Sequence, residues 1–112
     1  MSEKILIQHR ELKPFIEIKR GNKKMEIRLY DEKRQKIKLG QKIKLIHSEN
    51  EKEFLIVKVL GLSRFINFEK LFEFFGEKIK DYEKEILQRV YSKKEEKKFG
   101  VLVIHFELLK FK

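Results

Sequence analysis

The chain has 112 residues, of which 41% are apolar and 41% charged, and a formal net charge of +10. That length suits one compact domain rather than two ordinary ones, and ten Phe supply a core that a disordered segment would lack. Cysteine is absent, which excludes disulfides, thiolate nucleophiles and cysteine-ligated zinc, and no run of about 18 apolar residues offers a membrane span.

Residues 1–11 read as an N-terminal arm in which Ile5 to Gln8 is a candidate short strand. The opening MSEKILIQHREL is charged from its third residue and has no signal-peptide apolar stretch, so a cytoplasmic protein is expected. A helix is expected from Leu12. Pro14 fits its first turn, where a missing N–H costs nothing. Phe15 and Ile18 share one face, and Gly21 supplies a left-handed stop. Met25 to Tyr30 alternates, with Met25, Ile27 and Leu29 on one face and Glu26, Arg28 and Tyr30 on the other. This is the pattern of a half-buried strand with an ionisable second face.

Asp31 to Lys36 is a polar connection. Ile37 to Gly40 and Lys42 to Ile46 are expected to form a strand pair around Gly40, and Ser48 to Glu51 a turn. Phe54 to Leu60 is apolar and β-branched, which predicts a mostly buried strand. Asn67 is a good N-cap. After it Phe68, Leu71, Phe72 and Phe75 recur at helical spacing up to Gly76, and are expected to be core. Asp81 is expected to cap a further helix carrying Tyr82, Ile86 and Val90. Lys93 to Lys98 reads as a charged loop. Val101 to Leu109 reads as the last strand, with Leu102, Ile104, Phe106 and Leu108 inward. Helix, strands, two helices and a strand, in that order, predict an α+β fold: a small mixed β-barrel with flanking helices, not a parallel βαβ sheet. With no repeat and no linker, a single domain over 1–112 is expected.

The positive charge is unevenly spread. Residues 20–44 hold ten Lys or Arg against three Asp or Glu, a local balance of +7 out of +10. Such clustering is an electrostatic footprint for phosphates; the plainer reading is a solvated hairpin. The count of 22 Lys against 6 Arg tempers the global charge, since arginine is the usual residue of specific phosphate and base contacts. Within the cluster, Glu26 and Arg28 share a strand face, and Lys23 and Lys24 precede them. A carboxylate set among cations stays ionised and fixes their side chains. Arg28 is then placed to present its planar fork to phosphate or a base edge, Glu26 to accept from a base amino group, and Tyr30 to stack. Lys33 and Arg34 extend the basic run. The alternative is a structural ion pair. His9, His47 and His105 lack metal-ligand spacing, so no metal and no cofactor is expected. None of Ser2, Ser48, Ser63 and Ser92 sits in a nucleophile elbow.

Gly21-Asn-Lys23-Lys-Met-Glu26-Ile-Arg28 resembles the G-x-K-x-x-E-x-R signature of the ASCH domain family, relatives of the PUA domain. Phe65-Ile-Asn-Phe68-Glu-Lys-Leu71 is similar to that family's helix start, and Tyr91 with Phe99-Gly100-Val101 to its closing helix and strand. The resemblance runs from about Pro14 to Leu108. It implies a PUA-like barrel with a cleft beside its first strand, RNA or a nucleotide as partner, and a link to translation that includes a possible protein partner. Small prokaryotic members are the nearest in form. One branch of the family resembles an amidohydrolase of N4-acetylcytidine that uses a lysine, a threonine and a glutamate. The lysine falls on Lys23, but the threonine position holds Glu26, and the chain contains no threonine at all. The third acid falls loosely on Glu77. A carboxylate is a poor replacement for an activated hydroxyl. Three readings follow: an RNA- or nucleotide-binding module; a hydrolase of acylated cytidine or RNA that would use Lys23 and Glu26; and a domain whose basic surface meets an acidic protein.

Overall fold

The computed structural model describes residues 5–10 and 12–111. Its elements in order are β1 (Leu6–Arg10), α1 (Leu12–Lys19), β2 (Met25–Leu29), a 3-10 turn (Arg34–Lys36), β3 (Lys42–His47), β4 (Asn50–Phe65), α2 (Phe68–Phe75), a second 3-10 turn (Gly76–Lys78), α3 (Asp81–Val90), α4 (Lys93–Phe99) and β5 (Val101–Phe111). The strands join one mixed sheet in the order β1-β3-β4-β5-β2. β1 runs parallel to β3, and β3 antiparallel to β4. The α+β class and PUA-like architecture expected from the sequence are those observed. Of the arm expected over 1–11, residues 1–4 and 11 lie outside the described residues, and Leu6–Arg10 is a strand.

The chain divides into two compact units: a strand-rich one holding the chain up to Glu26, Ile37–Leu62 and the chain from Ile104, and a helix-rich one holding Ile27–Lys36 and Ser63–Val103. In the strand-rich unit, Phe15 and Ile18 bury the inner face of α1, as their spacing predicts. The helix is followed by Gly21 at φ +79°, a left-handed conformation that other residues adopt only with strain. Ile43 pairs with Val57 and Leu45 with Leu55, and all four are buried. His47 is buried too: its ring lies 5.1 Å from that of Phe15, and its Nδ1 accepts from the Glu49 N–H at 3.0 Å.

Two expectations in this unit are corrected. Residues 37–40 do not form a strand. The Gln41 N–H donates to the Lys38 carbonyl at 3.1 Å, and the Lys38 N–H donates to Gln41 Oε1 at 3.0 Å, so the segment closes a tight turn instead. β3 therefore pairs with β4, which has 16 residues and is far longer than the apolar run that announced it. Strand β1 also inverts the usual pattern, because Gln8 is buried while Ile7 is 60% exposed.

In the helix-rich unit, α2 starts under two acceptors. Asn67 Oδ1 takes the Lys70 N–H at 2.9 Å, as its capping role predicts, and Glu96 Oε2 takes the Phe68 N–H at 2.8 Å. Phe68 and Leu71 are buried, with Phe72 stacked on Phe68. Asp81 is not the cap of α3: Lys80 holds that position, and Asp81 is the first helical residue. The expected loop at 93–98 is helix α4. Ser92 and Glu95 form a capping box at its start, and Glu96 turns inward to brace α2. Val101, Leu102 and Val103 are all buried, so the first part of β5 is covered on both faces rather than alternating.

Candidate nucleic-acid interface

In the strand-rich unit the chain leaves α1 through a turn in which Asn22 and Lys23 both donate their N–H groups to the Glu17 carbonyl, at 3.0 and 3.1 Å. The Lys24 carbonyl then accepts from the Phe106 N–H at 3.0 Å, which anchors the entry to β2. Lys24 is exposed and Lys23 half-buried. Glu26 is only 4% exposed. Its carboxylate meets the Arg10 guanidinium in a forked pair, with Arg10 Nε 2.7 Å from Oε2 and Arg10 Nη2 3.0 Å from Oε1. Arg10 is held in turn: its Nη1 donates to the His9 carbonyl at 2.8 Å, and its Nη2 to Gln8 Oε1. The same inversion of β1 that turns Ile7 outward brings Gln8 and Arg10 inward. A planar fork matched to both carboxylate oxygens is the geometry in which a buried ion pair is well satisfied.

Glu26 thus has Arg10 as a buried partner, the ion pair that was the alternative to a ligand contact. Sequence reasoning missed Arg10, because an apolar alternation in β1 would place Ile7, not Arg10, on the inner side.

In the helix-rich unit, Arg28 is half-buried and its Nη1 donates to the Ile27 carbonyl at 2.7 Å. Tyr30 is pinned at its backbone: its N–H donates to the Gly100 carbonyl at 3.0 Å, and its carbonyl accepts from Gln35 Nε2 at 2.9 Å. The Tyr30 ring meets Arg64, whose guanidinium carbon stands 3.8 Å from the ring centre. Arg34 is tied to Asp31, with Nη1 2.9 Å from Oδ2, and Lys33 is exposed. Glu77 is exposed. Among the described residues no cluster of His, Asp and Glu side chains gathers as a metal site, and no helix is long and apolar enough to cross a membrane.

The ten cations of residues 20–44 share one property: none is buried. Of the three acids in that segment, Glu26 is withdrawn beneath Arg10, Asp31 is paired with Arg34, and Glu32 alone is exposed. The segment's surface is therefore more positive than its composition.

The family model of the ASCH domain matches residues 11–110. Among solved structures, the chain is similar to the crystal structure of the hypothetical protein PH0355, at 31% identity and a TM-score of 0.76, over 95% of this chain and 100% of that one. It is also similar to the solution structure of the protein PF0455 from Pyrococcus furiosus, at 29% identity and a TM-score of 0.72, over 96% of this chain and 99% of that one. No functionally curated protein matches.

Proposed function

The chain belongs to the ASCH domain family, and on that premise we propose that it binds RNA or a modified nucleotide through the basic side chains of residues 20–44. Lys23 and Lys24 in the strand-rich unit, and Arg28, Lys33 and Arg34 in the helix-rich unit, touch the ligand on this reading. Glu26 is their brace and Tyr30 the bed of a stacked cation. The observation that carries the reading is that none of the ten cations is buried while Glu26 is withdrawn beside Arg10. Electrostatic attraction of this kind supplies most sequence-independent affinity for polynucleotides. The family match runs without a break over 11–110, which supports one ASCH domain as the working unit. A cytoplasmic setting and a role beside translation go with this reading.

The test is a salt titration of binding to short single-stranded RNA, for the wild type and Lys23→Ala/Arg28→Ala. The double variant is expected to bind more weakly, with a salt slope lower by about 0.7 for each phosphate that is no longer neutralised. Equal affinity and equal slope would remove the proposal.

A further inference from the structure

Arg64 lies outside residues 20–44, yet it is the most unusual cation of the helix-rich unit. It is exposed, its guanidinium carbon stands 3.8 Å over the centre of the Tyr30 ring, and no carboxylate among the described residues pairs with it. A guanidinium stacked on a ring has lost much of its rotational freedom already, while its outer face and N–H edge stay available. The bed beneath it is anchored at its backbone, where Tyr30 is bonded to both Gly100 and Gln35. Gly100 itself sits at φ +73°, and a Cβ there would stand 3.0 Å from the Phe65 carbonyl oxygen, so only glycine lets these two backbones approach.

Arg64 borders a groove of about 420 Å³ whose other walls include Ile66, Lys97, Lys98 and Phe99. Ile66 is 75% exposed, and both lysines are exposed on the last turn of α4. Lys98 stands 5.1 Å from the Phe99 ring centre. The groove thus combines three cations with apolar surface and no acidic wall. A second groove of the same unit, about 490 Å³, is lined by Glu69 and Glu73 as well as Lys84 and Lys93, so it has no such bias.

We infer that the groove at Arg64, Lys97 and Lys98 is a second docking site, which takes one nucleotide unit of a single strand. The base stacks on the outer face of the Arg64 guanidinium beside Ile66, and the phosphate meets Lys97 and Lys98. Stacking of this kind tolerates any base, because every base has a π-face, and it needs that base unpaired. This second site goes beyond the binding proposed for residues 20–44. The two share only Tyr30, as the bed under Arg64.

The experiment titrates the full chain with a short oligouridylate RNA, its oligothymidylate counterpart and a blunt RNA duplex, and thermal melts confirm that each variant is folded. Arg64→Ala is expected to weaken single-strand binding about tenfold. Arg64→Lys restores the charge without the flat face, and is expected to recover the salt-dependent part only. Lys97→Ala/Lys98→Ala is expected to lower the salt slope by about 0.7 per lysine. Comparing the RNA with the DNA oligomer tells which strand supplies the nucleotide, and an Arg64-dependent signal from either supports the site. Wild-type affinity in both Arg64 variants overturns it, as does equal competition by the duplex. Loss of binding in Lys23→Ala/Arg28→Ala with no change in Arg64→Ala would dismiss the groove and leave the 20–44 reading standing. The reverse result would do the opposite.

Discussion

Glu26 and Glu96 are the two buried carboxylates among the described residues, one in each unit, and they solve the same problem differently. Glu26 meets a full opposite charge, the Arg10 fork. Glu96 meets a backbone donor, the Phe68 N–H at the first turn of α2, where the helix end carries partial positive charge. Lys93 also approaches Glu96, at 3.7 Å, but its side chain is 86% exposed and adds little. A charge neutralised by another side chain depends on both partners surviving. A charge held by backbone depends only on the helix being there.

The difference sets an order of sensitivity. Arg10→Ala removes the forked partner of the buried Glu26 carboxylate, and is expected to cost about 3–5 kcal/mol, read as a fall in the denaturant midpoint. Replacing both partners by apolar residues, Arg10→Met with Glu26→Leu, is expected to recover most of that loss. Failure to recover would show that the pair does more than satisfy itself. Next in size is Glu96→Ala, which strands the buried Phe68 N–H at a cost of about 1–3 kcal/mol, whereas Glu96→Gln keeps an acceptor and loses less. Equal losses for Ala and Gln would mean that the charge, not the acceptor, is what α2 requires. The smallest effect is expected at Asn67→Ala, about 1 kcal/mol in melting experiments, since Glu96 still covers the same helix start.

Much of this was legible in the residues. Helix α1 announced itself through Pro14, Phe15, Ile18 and Gly21. Helix α2 did so through Asn67 and its apolar repeat, and β2 through strict alternation. These are local rules that neighbouring residues state together. Helix α4 was written there too, because Ser92 and Glu95 are spaced as a capping box, but the flanking lysines disguised it as a loop. Residues 37–40 look like a strand, and the paired backbone and side-chain bonds between Gln41 and Lys38 make them a turn. At the candidate site the basic cluster could be counted directly. The Arg10–Glu26 and Arg64–Tyr30 partnerships could not, since each joins residues far apart along the chain and no local pattern encodes which cation arrives. Arg10 was further hidden by Ile7, whose outward position contradicts its hydrophobicity.

The sheet order has a consequence for folding. β2, which carries Glu26 and Arg28, has β5 as its neighbour in the sheet, although β3, β4 and three helices lie between the two along the chain. Leu6 likewise waits for Ile43 before β1 has a partner. The signature strand is thus made well before its sheet neighbour, so its pairing is a long-range contact whose loop closure must be met before the edge is sealed, which slows folding.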